Sequence, residues 1–191
     1  MRITGGKARG IRLKAPKGDI TRPATDRMRE AIFSSLGSCI EGSRVADLFA
    51  GTGAYGLEAL SRGAIKVTFY EHDRQALACM QQNQQAVLKC CALGKDAIHT
   101  IGRNVYESTA TGERAELIFI DPPYDAIEAN LKRIFASADT LGTPDARIIL
   151  ELPGNLNPET EGWQLTRRFG KSKRDTPNAA IFKRRPVIAA R

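Results

Sequence analysis

Residues 47–56, Asp47-Leu-Phe-Ala-Gly-Thr-Gly-Ala-Tyr-Gly56, set glycines at 51, 53 and 56 at the end of the run Arg44-Val45-Ala46-Asp47-Leu48-Phe49, which reads as a β-strand. Glycine lets a chain turn sharply without a Cβ penalty. The stretch from about Tyr55 to Arg62 then reads as a helix, with Leu57 and Leu60 turned inward and Gly63 at its end. Strand, glycine turn and helix form a first βα unit, whose backbone N–H groups face a ligand at the helix N-terminus. The spacing also satisfies G-x-G-x-x-G, and Glu71, 20 residues beyond Gly51, stands where a carboxylate takes ribose hydroxyls.

The same alternation continues on the C-terminal side. Lys66–Tyr70 is a second strand. Asp73 caps a helix to about Leu88 with Ala76, Met80 and Val87 on its buried side, and Ala97–Ile101 is a third strand. Leu117-Ile118-Phe119-Ile120 shows no polar alternation, as a parallel strand covered on both faces should, and it stops at Asp121-Pro122-Pro123-Tyr124. A helix over about Ala126–Ala136 and a strand over Ala146–Leu150 complete five β segments separated by helices. Trp163–Phe169 and Ala179–Lys183 are joined by a Lys/Arg-rich connection with no room for a helix, which predicts an antiparallel hairpin at the sheet edge. The fold class is therefore α/β: a doubly wound, mostly parallel seven-stranded sheet with a C-terminal antiparallel β hairpin.

On the N-terminal side, Arg27–Leu36 reads as a helix with Thr25 or Asp26 as N-cap, Met28, Ile32 and Leu36 along one face, and Gly37 at its end. Arg2–Thr4 and Gly10–Lys14 flank Gly5-Gly6 as a short β hairpin. The expected organisation is a basic N-terminal extension over 1–25, one α/β domain over 26–185 and a tail over 186–191.

Composition narrows the function classes. With 191 residues, 42% apolar and 26% charged, the chain suits one globular domain. The central apolar run at 117–120 is far short of the roughly 20 residues of a membrane helix, and the first residues lack the apolar stretch of a signal peptide. A cytoplasmic location is expected. Cys39, Cys79, Cys90 and Cys91 contain no C-x-x-C and read as reduced thiols; His72 and His99 have no ligand at metal-site spacing, so no metal is expected. The net charge of +8 is unevenly placed. Residues 1–30 carry nine Lys/Arg against three acidic residues, residues 165–191 carry nine against Asp175 alone, and the body between is acidic. That asymmetry fits a protein that lays its two ends on a polyanion. Arg2, Lys7, Arg9, Arg12 and Lys14 at one end, and Arg167, Arg168, Lys171, Lys173 and Arg174 at the other, are expected to flank the pocket and track phosphates.

The glycines alone do not choose the ligand. A dinucleotide would bring a pyrophosphate, which a carboxylate at Asp47 repels. S-adenosylmethionine brings an ammonium and a sulfonium, which Asp47 suits, and its ribose suits Glu71. Asp-Pro-Pro-Tyr adds the second half of the reaction. Two prolines fix φ twice and remove two donors, leaving a wall of acceptors made by the Asp121 carboxylate and the carbonyls around Pro122. An exocyclic amine on a base has two N–H groups to give such a wall, and Tyr124 offers a face on which the base can stack.

The glycine motif, the carboxylate after strand two and Asp121-Pro-Pro-Tyr124, in this order, resemble the class I S-adenosylmethionine-dependent methyltransferases that act on exocyclic amines. Arg2-Ile-Thr-Gly-Gly-Lys-Ala-Arg-Gly10 and Thr21-Arg-Pro-Ala-Thr-Asp-Arg-Met-Arg-Glu-Ala-Ile-Phe33 narrow the likeness to the RsmD family, bacterial enzymes that methylate guanine N2 in 16S ribosomal RNA. The resemblance covers nearly the whole chain. It implies a Rossmann-like methyltransferase fold, cofactor contacts at Asp47, Gly51, Gly53, Glu71 and Asp121, and a target amine held by Asp121, Pro122, Pro123 and Tyr124. It also implies RNA contacts from the basic N-terminal hairpin, through Arg9, and from Arg22 and Arg29 near the pocket mouth. Where the family often has an acidic or amide residue to read the adenine amine, this chain has Arg103, and Asn104 takes the role one position later. The expected partner is 16S RNA within a small subunit or an assembly intermediate, and the expected state is a monomer. The rival readings are amine methylation at adenine N6, cytosine N4 or a protein glutamine amide, and a non-catalytic RNA-binding module.

Overall fold

The run around Leu117 is the middle of a seven-stranded sheet. A computed structural model of the protein describes residues 1–16, 26–107, 113–158, 160–171 and 176–185. The strands are β1 (Arg44–Leu48), β2 (Lys66–Tyr70), β3 (Ile98–Ile101), β4 (Ala115–Ile120), β5 (Gly142–Pro153), β6 (Trp163–Phe169) and β7 (Pro177–Arg184), in the order β3-β2-β1-β4-β5-β7-β6. β1 to β5 are parallel, and β7 runs antiparallel to both β5 and β6. This is the doubly wound α/β class expected from the sequence, with β7 inserted inside the edge and β6 outermost.

Side-chain alternation divides the core in two. Val45, Val67, Phe69, Leu117, Phe119, Ile149 and Ile181 face the helices α1 (Asp26–Leu36), α2 (Ala54–Ser61) and α3 (Arg74–Cys91). Ala46, Leu48, Ile118, Ile120, Ile148, Leu150 and Phe182 face the opposite way, toward α4 (Tyr124–Leu141) and Trp163. β4 belongs to both clusters, which is why it carries apolar residues without interruption.

Some boundaries differ from the expected ones. Phe49 leaves β1, because its φ of 64° is left-handed and turns the chain out of the sheet. α4 starts at Tyr124 rather than Ala126: Pro123, at the N-cap position, has a φ of −53° that a helix start accepts, an extended ψ of 132° and no N–H to leave unpaired. It continues to Leu141 because Ile134, Phe135, Ala138 and Leu141 prolong its buried stripe. Asp26 begins α1, while Thr25 lies outside the described residues, as do Arg22 and the tail 186–191.

The N-terminal hairpin forms, with Arg2 bridged to Arg12 and Ile3 and Ile11 joined through their backbones at 2.9 Å. Its described part is built into the core, since Ile3 and Ala8 are fully buried against the α2 side. Glu58 of α2 fastens it. The Glu58 carboxylate, itself fully buried, accepts from Thr4 N at 2.8 Å, Arg29 Nε at 3.2 Å and Arg62 Nε at 2.9 Å.

Candidate active site

The glycine turn sits at the carboxyl edge of the sheet, where open α/β folds expose a crevice. Gly51 has φ 53° and Gly53, the N-cap of α2, has φ 79°; both lie in the region that favours glycine. Asp47 is buried under the turn, and its Oδ2 accepts from Gly56 N at 2.8 Å. The carboxylate thus steadies the start of α2. Glu71 closes the same turn from β2. One of its oxygens accepts from Gly51 N at 2.7 Å, and the other accepts from His72 N at 2.7 Å and Asp73 N at 2.8 Å. Three of about four acceptor positions are taken by these backbone donors. Asn83, which sequence reasoning missed, holds the turn from α3: its Nδ2 donates to Thr52 O and to Lys14 O, each at 3.0 Å.

β4 brings Asp121 to this edge beside β1, and Pro122 is buried while Pro123 is exposed. Tyr124 is half-buried in the first turn of α4. Next to them, the left-handed Phe49 packs edge-on against Tyr106 at 5.6 Å, and the Arg133 guanidinium lies 4.3 Å from the Tyr106 ring centre. Asn104 lies in the loop after β3, where its Oδ1 accepts from Tyr106 N at 3.1 Å.

Two further polar residues at this edge escaped sequence reasoning. Glu151 near the end of β5 is 2% exposed, and the Tyr55 hydroxyl donates to its Oε1. Tyr55 is in turn stacked on Phe119 at 5.0 Å. The signal was present, because Ile148-Ile149-Leu150-Glu151 repeats the Ile118-Phe119-Ile120-Asp121 pattern one strand over. The Glu151 pattern lacked a Pro-Pro to attract notice.

Electrostatically the edge is crowded with acid. Burial pushes the Asp47 carboxyl well above the usual range; the Gly56 N–H pulls it back in part, and the charges of Asp121 and Glu71 push it further. Asp121 keeps a partial opening to solvent, yet the packing around its carboxyl pushes it up to about 7. Burial and then the Asp121 charge push Glu151 well up as well. Such a row favours a ligand carrying positive charge and N–H donors.

The expected RNA-contacting arginines divide. Arg29 does not face the pocket mouth. It is 1% exposed, paired with Glu58 at 3.2 Å and Asp26 at 2.9 Å, and it donates to Arg2 O. A guanidinium so enclosed is a clamp between α1, α2 and the N-terminal hairpin, which corrects its expected place. Arg9 is exposed but lies in the turn that docks on the far end of α2, where Lys7 N donates to Ser61 O at 2.7 Å. The eight residues of α2, about 12 Å, separate that turn from the glycine loop. Arg22 lies outside the described residues. Of the C-terminal group, Lys171 is exposed where the β6–β7 connection leaves the carboxyl edge. Arg168 instead holds the segment after β5, donating to Leu156 O at 2.8 Å, and Lys173 and Arg174 are outside the described residues.

A groove of about 440 Å³, lined by Arg44, Lys66, Tyr70, His99, Glu113 and Arg114, runs along the face of β1 and β2 that also carries Ala46, from the strand starts up to Tyr70. Among the described residues no helix is long and apolar enough to cross a membrane, and no group of three or more His, Cys, Asp or Glu is placed to hold a metal ion.

A sequence model of the family described as Conserved hypothetical protein 95 matches residues 1–175. The chain is similar to YlbH of Bacillus subtilis, a candidate rRNA methyltransferase, at 36% identity over 97% of this chain and 100% of that one. It is similar to ribosomal RNA small subunit methyltransferase D of Escherichia coli at 37% identity, a match that spans 65% of this chain and 60% of that relative's length. Among solved structures it is similar to yhhF from Escherichia coli, a candidate methyltransferase, with a TM-score of 0.79 and 30% identity over 96% of this chain and 97% of that one.

Proposed function

The chain belongs to the family described as Conserved hypothetical protein 95, the RsmD family, and on that footing we propose that it methylates the exocyclic N2 amine of a guanine in 16S ribosomal RNA, using S-adenosylmethionine. The observation that carries this reading is the row of carboxyls, Asp47, Glu71, Asp121 and Glu151, gathered behind a glycine turn at one edge of the sheet. A pyrophosphate would bring negative charge against the Glu71 carboxylate and against the one negative charge that Asp121 and Glu151 hold between them. An ammonium and a sulfonium bring the opposite sign, so the donors and acceptors present fit S-adenosylmethionine and disfavour a dinucleotide.

In this reading the backbone at Gly51 and Gly53 approaches the cofactor, Glu71 takes a ribose hydroxyl, Asn104 reads the adenine, and Asp47 keeps the turn in shape. When bound, S-adenosylmethionine supplies a methyl carbon on a positively charged sulfur, open to a nitrogen lone pair. The Asp121 carboxylate and the Pro122 carbonyl accept the two N–H bonds of the target amine and so aim that lone pair, while Pro123 and Tyr124 give the flipped base a surface. Asp121 or water then receives the proton that the methylated nitrogen gives up. Most of the rate comes from orientation and charge placement, since guanine N2 needs no strong base before attack. The protein acts as a cytoplasmic monomer on RNA within a small subunit or an assembly intermediate, with exposed basic residues such as Lys171 along phosphates.

Replacing Asp121 tests the assignment. Asp121→Ala should lower methyl transfer to 16S RNA by on the order of 10³-fold or more, far beyond any loss of S-adenosylmethionine affinity measured by calorimetry. A variant that transfers methyl at the wild-type rate removes Asp121 from the mechanism. Mass spectrometry of the product nucleoside separates guanine N2 from adenine N6 and cytosine N4.

A further inference from the structure

The transfer outlined above does not call on Glu151, although it stands beside Asp121. In the parallel register Ile120 lies opposite Leu150, so residues 121 and 151 follow side by side on adjacent strands. By alternation they share the face of Phe119 and Ile149, toward α1 and α2. On its other flank Glu151 is paired with Ala179 of β7, which offers no polar side chain. The groups that act on Glu151 are Asp121 from β4, Tyr55 from α2 and Arg29 from α1. Arg29 is already engaged with Glu58 and Asp26.

Two carboxyls placed side by side away from water are not both ionised at neutral pH without a large cost, and the pair retains a proton. Burial decides which member keeps it. Glu151 is sealed at 2% exposure while Asp121 opens partly to solvent, so the charge settles on Asp121 and the proton on Glu151.

We propose that Glu151 is a positioning residue for Asp121: a protonated neighbour, fixed by the Tyr55 hydroxyl, that leaves the single negative charge of the pair on the carboxyl facing the target amine. The Tyr55 bond fits this state, because a neutral carboxyl still has a carbonyl oxygen to accept it. Burial and the Asp121 charge push the Glu151 carboxyl up, while the Tyr55 hydrogen bond and Arg29 pull less strongly the other way. The consequence for catalysis rests on the transfer role given to Asp121, but the protonation state does not.

Infrared spectroscopy of the full-length protein, without cofactor or RNA, measures that state directly. Wild-type protein carrying carbon-13 glutamate should show, near neutral pH, a protonated-carboxyl band that moves with the label and with deuterium exchange. Glu151→Gln should remove the band. Asp121→Asn should let it titrate away at a pH about one unit lower or more, because the negative neighbour is gone. A purely structural role for Glu151 would give none of these shifts. A wild-type spectrum with no protonated glutamate near neutral pH overturns the proposal without need of any variant, as does a band that survives Glu151→Gln. Since nothing in the measurement depends on methyl transfer, its failure is separate from a failure of the proposed activity.

Discussion

Asp121 and Glu151 occupy equivalent places on neighbouring strands, yet only one was legible in the sequence. Asp121 was marked by the two prolines behind it, and the three glycines and Glu71 were marked by spacing; the structure brings Gly51 and Glu71 into direct hydrogen bonding. Glu151 shared the pattern of an apolar strand ending in a carboxyl but had no Pro-Pro to mark it, and its contact to Tyr55, like that of Asn83 to Thr52, is tertiary and encoded by no local pattern. Arg29 shows the reverse error, since an arginine in a basic stretch reads as surface charge until Glu58, 29 residues further on, is seen to enclose it. The buried carboxyls also set how stability varies with pH. Asp47, Asp121 and Glu151 all have folded pKa values raised above the unfolded ones, so their stability is fully present below the ordinary carboxylate range and is lost as pH rises from that range through the raised folded values, about 7 for Asp121. Glu116 works the other way: burial pushes it up, but its bonds to Arg44 bring it below its usual value. That pair is about a third exposed on both sides and counts for little. The melting temperature should therefore fall between about pH 5 and about pH 8, and should fall less in Asp121→Asn. A melting temperature that is flat or rising across that range would show these carboxyls to be solvated.

The elements follow the sequence where periodicity is strong and depart from it where a single backbone angle decides. β2 and β6 have the expected bounds: the buried residues of β2 stop at Glu71, and β6 stops where Gly170, with φ 96°, turns the chain. The left-handed Phe49 and the early start of α4 depend on φ values that residue type only suggests. Gly56, the third glycine of the motif, is fixed by packing: a Cβ there would overlap the Phe69 ring and Val67 of β2. Gly56→Ala thus sets two effects against each other. Helix propensity favours alanine by about 1 kcal/mol. Overpacking against a ring that cannot retreat into the sheet costs about 1–3 kcal/mol and should win, with α2 and the glycine turn displaced together. Urea denaturation should show a net loss of stability; a variant more stable than wild type would mean that α2 can lift from β2 freely.

On the scale of the whole molecule, the charge asymmetry read from composition is only partly a single surface. Lys171 leaves the carboxyl edge beside the carboxyl row, whereas Arg9 sits in the turn at the far end of α2. Composition counts both ends of the chain as basic and cannot tell at which edge each lies. Lys171→Glu should weaken RNA binding and lower the slope of affinity against salt by about one, while Arg9→Glu should change both less. Equal effects from the two would place the RNA across the whole of the α2 side. The central claim, that this site methylates guanine N2 in 16S RNA, is tested most directly in cells. Mass spectrometry of 16S RNA from a strain lacking the gene should reveal one N2-methylguanine missing, restored by the wild-type gene and not by Asp121→Ala. An unchanged content of N2-methylguanine in the deletion strain, or full restoration by Asp121→Ala, would contradict it.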